Sequence, residues 1–222
     1  MDKKHLYLLP GLGADERLFQ YIEIPDCQLH FLQYPIPKKE DTLEDFIIQL
    51  SKQITAKPYA FLACSIGGIF AIELERKIPV EKIILVASIK SQEERPFYFD
   101  LLRKLPVHRW LPMDLLKRAG GIASKLGGKH EGNHLDLLAK MLQNTDNALL
   151  IWGVDQIVAW NPEKLTEEIH NKIVHIHGKR DLIFPARFIK NAVLIPKAAH
   201  FSILLSRVAI INELIINSIK NE

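Results

Sequence analysis

Cysteine is almost missing from this chain, with two in 222 residues, Cys27 and Cys64. Both sit in apolar strand-like runs and read as buried thiols, which excludes a disulfide framework and a cysteine metal site. Long uncharged apolar runs are also lacking, so no segment is built to span a bilayer. The opening Met1-Asp-Lys-Lys-His-Leu-Tyr-Leu-Leu-Pro10 sets lysines before apolar residues, yet it breaks at Pro10-Gly11. That is too short for a signal core, and the simplest reading is an intracellular, cytoplasmic protein. No charge of one sign dominates: a net +3 makes no case for nucleic acid. Gly11-Leu-Gly13 lacks the third glycine of a dinucleotide fingerprint and the Gly-Lys-Ser/Thr of a phosphate loop, so no cofactor is expected. There is no internal repeat and no low-complexity segment.

What is present is an ordinary globular composition, 48% hydrophobic and 25% charged. The length suits one compact domain with room for an inserted segment. The most informative stretch is Tyr59-Ala-Phe-Leu-Ala-Cys-Ser65-Ile-Gly67-Gly68-Ile-Phe-Ala71. An apolar strand-like run stops at Ser65, two glycines follow, and Ile69, Phe70, Ile72 and Leu74 then carry helical apolar content. A serine between strand and helix, with glycine two residues on, is the sequence form of a nucleophile elbow. The turn must be tight, and small neighbours let it pass between the adjoining strand and helix. Alanine at position 63 departs from the full G-x-S-x-G pattern. A plain helix N-cap is the competing reading of Ser65.

Taken in order, the chain alternates strands and helices. His5 to Leu9 is a strand that enters the loop Pro10-Gly11-Leu12-Gly13. That loop could bring a backbone N–H over the serine as half of an oxyanion hole. Asp15 to Arg17 opens a short helical turn, and Cys27 to Leu32 is a second strand. Tyr34-Pro-Ile-Pro37 forces an extended connection. Leu43, Phe46, Ile47, Leu50 and Ile54 fall at helical spacing after a start at Thr42-Leu-Glu44-Asp45. Lys82 to Ala87 reads as a strand buried on both faces. The alternation implies a mostly parallel sheet of about six strands flanked by helices, with right-handed crossovers.

From about Ile89 to Thr166 the rhythm changes to helical patches over Phe99 to Leu105, Met113 to Lys125, His134 to Gln143 and Ala148 to Trp160. Prolines and paired glycines punctuate them. A segment this long between two strands reads as a helical cap, so residues 89–166 are expected to be an insertion into a core of residues 1–88 and 167–222. The sheet resumes with Lys172 to His177, then the loop to Asp181, a helical turn over Pro185 to Lys190, and a strand over Ala192 to Ile195. The loop Pro196-Lys-Ala-Ala-His200 precedes a last helix from Phe201, with Leu204, Leu205, Val208, Ile211 and Ile215 on one face.

Ser65, Asp181 and His200 thus each fall just beyond the C-terminal end of a predicted parallel strand, the edge where ligands bind in open α/β sheets. A serine hydroxyl needs a base to become a nucleophile, histidine titrates near neutrality, and a carboxylate on its other nitrogen fixes the tautomer. Asp181 alone could be a solvated loop acid and His200 alone a helix cap. Together, in the order Ser, Asp, His, they resemble the α/β-hydrolase superfamily across nearly the whole chain. Leu9-Pro-Gly-Leu-Gly13 is similar to its oxyanion loop, with proline for the frequent histidine, and Cys64-Ser-Ile-Gly-Gly68 to its elbow. His177-Gly-Lys-Arg-Asp181 with Pro185 is similar to its strand-to-acid segment, and Ala199-His200-Phe201 to its histidine loop. The resemblance implies the α/β-hydrolase fold, in a trimmed version without the initial antiparallel strands. It implies a metal-independent serine hydrolase acting on a small ester or thioester, with Leu12 and Ile66 supplying the oxyanion N–H groups. Acyltransfer, carbon–carbon bond hydrolysis and a catalytically silent ligand-binding protein are the other readings on the same residues.

Other residues are weaker candidates. His175 and His177 share a strand face but lack a third metal ligand. Cys64 is adjacent to the elbow, but the glycine spacing selects Ser65. Phe97, Tyr98, Phe99, Trp110, Trp152 and Trp160 are read as packing, with some lining an acyl pocket. The excess of Lys90, Arg95, Arg103, Lys104, Arg109, Lys117, Arg118, Lys125 and Lys129 over acids reads as a solvated surface. The sharper alternative is a handle for an anionic substrate group. The expected partner is a small acyl substrate, with no nucleic acid and no membrane span.

Overall fold

The computed structural model describes residues 3–220 except 111, 113, 114, 116, 119–131, 163 and 201. Its strands are β1 (Lys4–Leu9), β2 (Cys27–Phe31), β3 (Ala60–Cys64), β4 (Lys82–Val86), β5 (Ile173–Gly178) and β6 (Val193–Ile195). They form one sheet in the order β2-β1-β3-β4-β5-β6, and every neighbouring pair is parallel. Parallel neighbours require crossovers, and helices supply them. Helix α1 (Leu43–Ser51) links β2 to β3, and α2 (Ile66–Glu75) links β3 to β4. The α1 start follows from its sequence: Thr42 Oγ1 accepts from Asp45 N at 3.1 Å while Asp45 Oδ2 accepts from Thr42 N at 3.0 Å, a reciprocal cap.

Strand periodicity divides the core into two layers. Tyr7, Leu9, Phe61, Ala63, Ile83 and Leu85 pack on one face with Phe46, Ile47 and Leu50 of α1 and Ile69 and Phe70 of α2. Their neighbours Leu6, Leu8, Leu62, Cys64, Ile84 and Val86 pack on the other. There they meet the end of the chain, α7 (Ile203–Ser206) and α8 (Val208–Lys220), through Leu204, Leu205, Ile211 and Ile215. Because helices cover both faces, β3 is buried at all five positions, which is why it reads as a continuous apolar run.

The stretch between β4 and β5 contains α3 (Tyr98–Lys104), α4 (Gly132–Asn144), α5 (Asn147–Ala159) and α6 (Glu167–Lys172). The helix expected over Met113 to Lys125 lies largely outside the described residues. Two tryptophans fasten this stretch to the core. Trp152 stacks on Phe46 with ring centroids 4.5 Å apart and donates its indole N–H to Asp41 O at 2.8 Å. Trp160 donates to Glu73 Oε1 at 3.0 Å. Phe97 and Trp110, by contrast, stand in solvent.

Two local expectations are corrected. The short α6, capped by Thr166 Oγ1 accepting from Ile169 N, precedes β5 where the sequence suggested none. The single closing helix is two helices, broken at Arg207 with φ −125° and ψ 23°. Its apolar spacing runs unbroken across the bend because both pieces face the same layer of the sheet, so periodicity alone conceals the break. Phe201 lies outside the described residues. Among those described, no helix is long and apolar enough to cross a membrane.

Candidate active site

Ser65 stands at the junction of β3 and α2 with φ 54° and ψ −122°, on the positive-φ side that is strained for any residue but glycine. The strain turns its side chain away from its own helix: Oγ makes no capping bond to α2. The backbone is held instead by Ser65 N donating to Val86 O at 3.1 Å and Gly68 N donating to Ser65 O at 2.9 Å. The plain N-cap reading therefore fails. The turn passes under the β1 loop so closely that a Cβ on Gly67 would lie 2.4 Å from Leu9 O.

Asp181 follows β5. Its Oδ1 accepts the backbone N–H groups of Ile183 at 2.9 Å and Phe184 at 2.8 Å, which fixes the carboxylate plane. His200 follows β6, in a loop tied to the acid loop by Arg180 N donating to Ala198 O at 2.9 Å. These supports bring the three side chains into line. His200 Nδ1 is 2.7 Å from Asp181 Oδ2, and His200 Nε2 is 2.9 Å from Ser65 Oγ. All three are nearly buried, at 8%, 3% and 6% exposure for Ser65, Asp181 and His200. Phe184 lies edge-on to the His200 ring with centroids 5.3 Å apart. A proton can pass along this line from the hydroxyl to the imidazole while the carboxylate faces the charge that forms.

Ile66 directly follows the serine, and Leu12 lies in the loop after β1. Ile66 opens α2, whose first N–H groups have no helical acceptor. The Leu12 loop touches the elbow: a Cβ on Gly11 would come within 3.3 Å of Ser65 Cβ. Neither the Leu12 nor the Ile66 N–H makes a hydrogen bond among the described residues. Burial, and secondarily the charge of Asp181, push the Cys64 thiol up to about 12, so it stays protonated and inert beside Ser65.

The two strand histidines have separate tasks. His175 Nε2 lies 3.2 Å from Ser88 O, and its Nδ1 lies 3.1 Å from Lys90 Nζ. His177 Nε2 donates to Phe184 O at 2.8 Å and lies 3.3 Å from Asp181 Oδ2, so it supports the acid from behind. Sequence reasoning missed this contact, whose one signal was the four-residue spacing to Asp181. Among the described residues, no group of three or more His, Cys, Asp and Glu side chains is placed to hold a metal. The basic excess is not uniformly a solvated surface: Lys90 is buried against Glu94, and Arg95 holds Asp100 and the carbonyls of Val158 and Trp160.

Burial disfavours the charged form of both histidines. It drives His175 well below its ordinary 6.5, with help from Lys90 and His177, and lowers His177 against the opposing pull of Asp181 and Glu94. Below about pH 6.5 the unfolded chain takes up protons on these imidazoles more readily than the folded chain does, so unfolding gains protons. Stability is therefore fully present above pH 6.5 and falls as the pH drops below it. Thermal unfolding from pH 7.5 to 5 should show this decline, flattened in His175→Gln; an unchanged slope in that variant would remove His175 as its source.

Solved structures similar to this one in fold include esterases and other hydrolases. An esterase from Thermogutta terrifontis superposes with a TM-score of 0.72 at 15% identity, covering 98% of this chain and 89% of that one. For an esterase from Exiguobacterium antarcticum the values are 0.69 and 15%, covering 100% and 94%. An extracellular α/β-hydrolase from a Paenibacillus species gives 0.62 at 13%, covering 97% and 98%. The chain has the α/β-hydrolase fold. No protein-family model and no curated protein matches the sequence. At these identities the likeness is one of architecture, and within the α/β-hydrolase fold the chemistry has to be argued from this chain's own side chains.

Proposed function

We propose that this protein is a serine hydrolase that cleaves a small carboxylic ester or thioester through an acyl-enzyme. The observation that carries the proposal is the unbroken line Ser65 Oγ, His200 Nε2, His200 Nδ1, Asp181 Oδ2, with links of 2.9 and 2.7 Å. Ser65 Oγ attacks the carbonyl carbon as His200 removes its proton. Asp181 keeps the imidazole in the tautomer with Nδ1–H and faces the imidazolium. The negative oxygen of the tetrahedral intermediate is received by the N–H groups of Ile66 and Leu12, which have no other acceptor among the described residues. His200 then gives its proton to the departing alcohol or thiol. Water, deprotonated by His200, releases the acid and restores Ser65.

The stretch 89–166 serves in this reading as the cap over the site, fastened by Trp152 and Trp160. Named esterases among the structural neighbours support the reaction class. The strained, uncapped Ser65 favours catalysis over passive ligand binding, because strain of this kind persists at working sites. The test is reaction of the purified protein with a fluorophosphonate probe. The adduct should map to Ser65 by mass spectrometry and should be lost in His200→Ala. Equal labelling in that variant would mean that His200 is not the base.

A further inference from the structure

A second buried polar chain reaches Ser65 from behind. Ser88 is fully buried, and its Oγ donates to Ser65 O at 2.6 Å. Room for it is made by Gly68, where a Cβ would lie 2.2 Å from Ser88 Oγ. The Ser88 carbonyl accepts the Nε2–H of His175 at 3.2 Å, which leaves His175 Nδ1 as the acceptor for Lys90 Nζ at 3.1 Å. Lys90 also donates to Glu94 Oε1 at 2.5 Å and to Lys190 O, so all three ammonium protons are engaged. Glu94 is wholly buried and accepts in turn from the backbone N–H groups of Lys90 and Lys190, each at 2.9 Å. Lys190 closes the segment that begins at Asp181.

A buried ion pair is weak evidence for stability, since apolar residues of like volume often serve as well. What this one provides is geometry. It joins the end of the acid segment to the carbonyl of Ser65, which holds a positive φ of 54°. We propose that Ser88, His175, Lys90 and Glu94 form a positioning network that fixes the Ser65 carbonyl, and with it the elbow, relative to the acid segment. The inference rests on the hydrolase reading above. None of the four touches the reacting atoms; they act through the Ser65 backbone, and a small displacement there is costly because attack demands a narrow approach.

Three variants separate positioning from mere support. Ser88→Ala removes only the hydroxyl. His175→Leu removes the middle link, whereas His175→Gln keeps a donor for the Ser88 carbonyl. Lys90→Met with Glu94→Leu exchanges the ion pair for apolar volume. For a soluble short-chain ester, Ser88→Ala, His175→Leu and the double variant should lose about tenfold in kcat with KM within about twofold. Fluorophosphonate labelling of Ser65 should slow in parallel, and His175→Gln should recover most of the rate. Wild-type kcat in Ser88→Ala and in the double variant, both folded, would overturn the network. If wild-type protein does not label at all, the hydrolase reading is what fails. The crystal structure of Ser88→Ala then decides the network by itself: a Ser65 φ relaxed from 54° supports it, and an unmoved elbow overturns it.

Discussion

Ser65→Ala is expected to lower ester hydrolysis by about 10⁴- to 10⁶-fold while leaving the fold intact. The two halves of that expectation come from the same atom. Oγ is the group that faces His200 Nε2 at 2.9 Å, and it makes no bond to its own helix. A serine that capped α2 would lose about 1 kcal/mol on truncation to alanine. Here no cap is lost, and the strained backbone is the same for serine and alanine, so the change in stability should stay below about 0.5 kcal/mol. Initial rates on a chromogenic short-chain ester, measured beside thermal unfolding, read both quantities. A residual rate within tenfold of wild type would remove Ser65 as the nucleophile. A large fall in Tm with little loss of rate would return it to the role of a structural residue.

Gly67→Ala should have the opposite signature, with stability and activity lost together. The added methyl carbon would sit 2.4 Å from Leu9 O and 2.7 Å from Pro10 O. Both obstacles are backbone atoms of β1 and its loop, which cannot swing aside as a side chain would. Leu9 is moreover paired to Ala63 in the strand that delivers Ser65, so a shift of one disturbs the other. Overpacking of this kind costs about 3 kcal/mol, or roughly 10 °C in Tm for a chain of this length. The displaced loop is also the one carrying Leu12, so hydrolysis should fall by more than the loss of folded protein accounts for. Calorimetry with rates normalised to folded enzyme separates the two losses. A Tm within about 2 °C of wild type would show that the β1 loop is pliant and the glycine dispensable.

Much of this site was legible in the sequence because its three side chains occupy equivalent places. Each follows the end of a strand, and a parallel sheet puts all such ends on one edge, so chain order and strand pattern suffice to bring Ser65, Asp181 and His200 together. The positioning network was not legible, for reasons equally physical. Lys90 reads as a surface charge, and nothing local reveals that Glu94 folds back to meet it in a short 3₁₀ turn over Gln92–Glu94. His175 reaches Ser88 because β5 pairs with β4 in the register Leu85 to His175, which no single segment determines. His177 lies four residues from Asp181, yet whether such a spacing closes depends on the loop that follows the strand. The break at Arg207 was hidden because apolar spacing records which side chains face the sheet and not whether the axis bends.

The order of the strands has a further consequence, in time rather than in space. Ser65 lies in the first third of the chain, whereas the partners in line with it stand at positions 181 and 200, in the loops after β5 and β6. A ribosome-bound or clipped chain that has formed β1 to β4 already holds a tight turn bearing a serine, but a serine with no base is an ordinary alcohol. Competence arrives only when β5 and β6 complete the edge, so the proposed activity is silent in every intermediate that lacks those two strands.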